Sequence, residues 1–172
     1  MDDYEKITIT KLDAAHRQLA TAIELWFADG DPVSIHALAY SAHEIIHRLY
    51  RLKGLNDLLF DSFLIKDEFR GDFANKMKES ANFFKHAERE ANPDHAIEFA
   101  PDLNTFFIAI CITGLDRMGE KRNDTVDAFT VYLSLHRPSW FKKPIPVKTN
   151  ERLKNIEKDD FFKAYLAVRR EQ

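Results

Sequence analysis

An all-α fold is what this sequence predicts: a single-domain bundle of six or seven helices built on an antiparallel helical hairpin. Apolar residues recur at spacings of three and four through most of the chain, the period of a helix with one buried face. Helix breakers are scarce, five Gly and six Pro in 172 residues, so the punctuation between the periodic stretches is sparse. No stretch carries a convincing alternating strand pattern. Residues 1–172 read as one domain, with no repeat, low-complexity tract or interior linker.

The elements are legible in chain order. Thr10 and Asp13 form a capping box with Asp in place of Glu or Gln. Leu12, Ala15, Leu19, Ala22, Ile23, Trp26 and Phe27 then repeat at helical spacing until Asp29-Gly30. Asp31-Pro32 restarts the helix, Asp as N-cap and Pro in the first turn, and the second helix runs to about Lys53 with Gly54 as its stop. These two form the hairpin, 11–28 against 32–53. Residues 55–64 read as a connector. A third helix is expected from Ile65 to Lys78, amphipathic through Phe69, Phe73 and Met77, and Ser80 is expected to cap a short fourth. Asn92-Pro93-Asp94 breaks that fourth helix, and Ile97-Glu98-Phe99 reads as extended. Pro101-Asp102 opens the most apolar helix, ending near Gly119 and expected at the centre of the bundle. Asn123 or Asp124 caps the next, which stops before Pro138; 138–148 is a surface loop, and Asp159 starts a final helix through Phe162, Tyr165, Leu166 and Arg169.

Composition narrows the function classes. The net charge is −3, from 25 basic and 28 acidic residues, which argues against a broad electrostatic footprint for nucleic acid and leaves room for a local one. Cys111 is the single cysteine, in an apolar stretch, so neither an internal disulfide nor a cysteine zinc cluster is available. The acidic start, Met1-Asp2-Asp3-Tyr4-Glu5, lacks the layout of a signal peptide, and Asp102 and Asp116 bracket the best apolar run, so no membrane span is expected and the compartment reads as cytoplasm. Fourteen Phe include the pairs Phe83-Phe84, Phe106-Phe107 and Phe161-Phe162. Neighbours on a helix point about 100° apart, so such pairs suit helices packed against more than one neighbour.

Two local patterns carry chemistry. Ala42-His43-Glu44-Ile45-Ile46-His47 contains His-Glu-x-x-His, in which histidines one turn apart bind zinc and the Glu acts as base on the bound water. Such a site needs a further ligand, and none comes later in the chain at a diagnostic spacing; Arg48 also stands where an uncharged residue is usual. Against the zinc-hydrolase reading stands a packing one. Ile35, Leu38, Ala39, Ala42, Ile45, Ile46 and Leu49 form the apolar stripe, with His36, Tyr40, His43 and His47 along its border and Glu44 turned away. A non-catalytic metal held by His43, His47 and a residue of another helix is a third option.

The second pattern is Asn82-Phe83-Phe84-Lys85-His86-Ala87. On a helix Asn82, Lys85 and His86 share one face, while Phe83, Phe84 and Ala87 turn inward. Histidine beside a cation and an amide donor can move protons and hold an anionic oxygen, which suffices for metal-independent RNA cleavage by a 2′-hydroxyl. The structural alternative has Asn82 and His86 hydrogen-bonding the 92–100 loop.

Asn-x-x-x-His on a short helix of an α-bundle resembles the HEPN families, whose ribonuclease members carry an arginine shortly before the histidine, often directly before the Asn. The resemblance implies His86 as catalytic histidine and Asn82 as its polar companion; Lys85 and Arg89 are nearby cations at another register. The position of the family's arginine holds Ala81. Asp-Gly-Asp-Pro-Val-Ser at 29–34 together with the Asn-Phe-Phe-Lys-His-Ala motif also resembles an uncharacterised bacterial all-α family of this length. The second resemblance brings no function with it; the first implies a HEPN-like bacterial module binding RNA, a nucleotide or a partner protein as a homodimer, with RNA cleavage as the chemistry its motif would support. A non-enzymatic protein-interaction module and a zinc hydrolase using His43, Glu44 and His47 are the readings from other classes. Outside that zinc no cofactor is expected. Trp140 and Phe141 beside Lys142-Lys143 mix aromatic and basic residues, and are read as pinning a loop to the core.

Overall fold

The computed structural model describes residues 4–55, 67–86, 94–141 and 155–171. Those residues form six α-helices and one 3₁₀ turn, with no strand among them: α1 Lys11–Phe27, α2 Pro32–Leu52, α3 Asp67–Lys85, α4 Leu103–Arg117, α5 Asp124–His136, the 3₁₀ turn Pro138–Trp140, and α6 Lys158–Arg170.

Local hydrogen bonds set the helix starts. Thr10 accepts from the Asp13 N–H while the Asp13 carboxylate accepts from the Thr10 N–H, a complete capping box. Asp31 caps α2 through the Ser34 N–H, and Asn123 caps α5 through the Val126 N–H. Asp102 precedes α4 without a side-chain cap. In the α1–α2 turn it is Asp29, at φ 51°, that takes the left-handed conformation. Gly30 is there for closeness: a Cβ on it would stand 3.0 Å from the Leu25 carbonyl oxygen.

The hairpin has the most extensive contact in the fold; α4 and α3 pack on α2, while α5 and α6 pack on α1 and on each other. Helix α4 is buried over most of its circumference, from Asn104 and Phe107 through Ile108, Ile110, Cys111 and Ile112 to Leu115, with Phe106, Ala109 and Thr113 along one half-buried stripe. The paired phenylalanines bridge neighbours as expected. Phe162 stacks on Phe27 with centroids 4.5 Å apart while Phe161 meets Tyr132 edge-on at 5.2 Å. Trp140 packs edge-on against Phe106 at 5.3 Å, so the loop after α5 is pinned to the core; Lys142-Lys143 lie outside the described residues.

Three expectations change. The third and fourth helices are one continuous helix, α3, and Ser80 lies buried inside it instead of capping anything. With Ala81 also fully buried, two small residues let α3 approach the bundle closely, and that packing carries the helix through a sequence with a cap-like residue in it. Phe69, expected on the apolar stripe, is 55% exposed, whereas the side chains of Phe73 and Met77 lie outside the described set. On α2, His36 and His43 do not border the core but enter it, because two neighbouring helices cover that side. The connector beyond Leu55, the Asn92-Pro93 break, Ala87 and most of the 138–148 loop fall outside the described residues, and 95–100 has no regular secondary structure.

Candidate functional site

Helix α2 carries a column of rings facing α4 and α3. His36 is fully buried. Asn104 on α4 donates its amide to the Pro32 carbonyl at 2.9 Å, which turns its oxygen toward His36 Nδ1 at 3.0 Å and places the proton on that nitrogen. Phe107 stacks on His36 at 5.9 Å, and Phe84 and Phe99 meet it edge-on at 5.7 and 5.2 Å. This histidine is a satisfied core residue tying the start of α2 to α4.

His43, two turns on, is 6% exposed and packs on Phe107 at 5.0 Å. Neither of its ring nitrogens has a hydrogen-bond partner among the described residues. Burial, and after it the neighbouring His47, pushes this imidazole down to about 3, so it is neutral at pH 7. His47 comes one turn later with its ring centroid 5.7 Å from that of His43. The motif histidines are therefore brought together, but the motif glutamate is not with them. Glu44 is exposed, accepts from the Tyr40 hydroxyl, and lies 3.9 Å from the Lys85 ammonium. Burial first and Glu44 second raise the Tyr40 hydroxyl above its usual pKa. No group of three or more His, Cys, Asp or Glu side chains converges as a metal cage among the described residues.

Lys85 links the two sequence patterns. It ends α3 and sits above the Tyr40 ring at 4.8 Å while pairing with Glu44, so the lysine of the second motif is held by the glutamate of the first and by Tyr40 one turn before it. His86 is exposed just past the helix end, its N–H donating to the Asn82 carbonyl at 3.0 Å, and Asn82 is half-buried. Ala81, at the position of the HEPN arginine, is 0% exposed. A guanidinium there would be charged inside the core, so α3 as packed here has no place for one. Contacts to the loop after α3 come from Phe83 on His95 at 5.6 Å and Phe84 on Phe99 at 5.2 Å.

Beside those rings lies a cavity of about 660 Å³ between α3 and residues 95–103, lined by Lys76, Glu79, Ser80, His95, Glu98 and Phe99 among others. Sequence reasoning missed it. The only local signal is the one-turn spacing of Lys76, Glu79, Ser80 and Phe83 on one face of α3, and nothing local pairs that face with residues about twenty positions later. Its size falls within the range of small-molecule sites.

No helix of the described residues is long and apolar enough to cross a membrane. Comparison with protein-family models, curated proteins and solved structures finds no match to this chain.

Proposed function

We propose that the protein is a HEPN-like bacterial module that binds single-stranded RNA or a nucleotide, placing a base in the cavity between α3 and residues 95–103 without cleaving the strand. The observation that carries this reading is the make-up of that cavity, which borders the helix bearing Asn82 and Lys85, with His86 just beyond its end. The Phe99 and His95 rings offer faces for a base, and Lys76 offers a cation for a phosphate. Glu79 and Glu98 offer carboxylates to the amino groups of guanine or cytosine. Cleavage is the weaker reading on the same geometry. Ala81 is packed in the core and Lys85 is engaged by Glu44 and Tyr40, so neither supplies His86 with a cationic companion for acid–base work. In this proposal the module works in the cytoplasm as a homodimer.

Fluorescence anisotropy with short labelled RNAs, and competition by mononucleotides, tests the proposal. Binding weakened about tenfold or more by Lys76→Ala combined with Glu98→Gln is the expected result, since paired charge and base-edge contacts are each worth on the order of 1–3 kcal/mol. Absence of RNA and nucleotide binding would leave the non-enzymatic protein-interaction module. RNA cleavage in EDTA, abolished by His86→Ala, would replace the binding-only reading with a ribonuclease.

A further inference from the structure

Two buried histidines stand on the same face of α2, and hydrogen bonding explains only one of them. His36 has Asn104, whereas both nitrogens of His43 lack a partner among the described residues. A neutral imidazole carries one donor and one acceptor, and leaving both unmet in the core opposes folding unless something occupies them. His47 is the residue one turn away. Its ring lies at the spacing that a shared ion requires. Zinc–nitrogen bonds of ~2.05 Å, with the metal ~3.2 Å from each ring centre, put two tetrahedrally disposed imidazole centroids ~5.2 Å apart. The observed 5.7 Å differs by a few tenths of an ångström, within the reach of a small change in the side-chain torsions.

We propose that His43 and His47 form a two-imidazole site for a borderline divalent transition-metal ion, Zn²⁺, Ni²⁺ or Cu²⁺, on the α4-facing side of α2. The site is separate from the cavity and does not depend on the RNA-binding proposal. Neutral nitrogen ligands select these ions over Mg²⁺ and Ca²⁺, which take oxygen. Water completes the coordination, so the affinity falls below that of a four-ligand protein cage. The ion is structural. Glu44, which would have to serve as base for hydrolysis, is turned out to Tyr40 and Lys85. Its occupant therefore clamps two successive turns of α2 beside Phe107.

Tag-free protein stripped with EDTA and dialysed is titrated with Ni²⁺ and Zn²⁺, with Mg²⁺ as control, by isothermal calorimetry and thermal unfolding. The expected result is one equivalent of Ni²⁺ or Zn²⁺ bound and a Tm rise of about 5 °C or more at a hundredfold excess over Kd, with no response to Mg²⁺. His43→Phe and, separately, His47→Asn should each abolish both signals while retaining the helical circular dichroism of the wild type. No shift with wild type, or an equal shift in both variants, overturns the site. RNA binding that persists in both variants is expected, and its loss in wild type leaves the metal result standing by itself.

Discussion

Replacing His43 by Phe in the metal-free protein puts the buried imidazole to a quantitative test. Phe keeps a planar ring against Phe107 and removes two nitrogens that have no partner among the described residues. Each unmet buried polar atom costs on the order of 1–3 kcal/mol, while the slightly larger ring can overpack by a similar amount. At pH 7 the variant should therefore fall between neutral and about 2 kcal/mol more stable. The pH dependence is sharper because it does not depend on packing. The unfolded imidazole titrates near 6.5 and the folded one near 3, held there chiefly by burial. Between those values the unfolded state binds one more proton than the native state. Wild-type stability is then complete above about pH 6.5 and is lost as pH falls toward 3, at about 1.4 kcal/mol per unit. Phe has no proton to bind. The advantage of His43→Phe over wild type should consequently grow by about 2 kcal/mol between pH 7 and pH 5. Of the neighbours facing this ring, Phe107 of α4 does not titrate, Tyr40 and Glu44 remain in both proteins, and His47 is the one other imidazole nearby among the described residues. Urea unfolding in EDTA at pH 7, 6 and 5 measures both curves. Parallel curves, or an NMR-measured His43 pKa above about 5.5, would refute the reasoning.

The same core sets two further outcomes. Asn104→Ala leaves His36 Nδ1 without its acceptor and the Pro32 carbonyl without its donor, so thermal unfolding should show a loss of about 2–4 kcal/mol, near 10 °C in Tm; a change under about 1 kcal/mol would show that this pair does not hold α2 to α4. The Cys111 thiol is fully buried, within 3.7 Å of the Ala39 carbonyl, and burial raises its pKa, so a thiol-specific reagent should modify it only at the rate of unfolding and at once in denaturant.

Residue patterns decided the helical class, the α1–α2 hairpin and three of the helix starts, because each rests on groups within a few positions of one another. The Thr10–Asp13 box, the Asp31 cap and the Asn123 cap close hydrogen bonds over two or three residues, and Pro32 fixes its own backbone torsion wherever the chain goes. Periodicity also located the apolar stripe of α2. It did not give the stripe's width, since a helix shows only its own surface and the number of neighbours sets how much is covered. With α3 and α4 both lying on α2, His36 and His43 pass from the expected border into the core. The same packing runs α3 straight through Ser80, where local preference pointed to a cap. Lys85 met Glu44 and Tyr40, and the cavity closed between α3 and residues 95–103, through contacts that span tens of residues. Such contacts leave no trace in local spacing. They arise from which helix faces stack once the core is formed, and that was settled only by the tertiary structure.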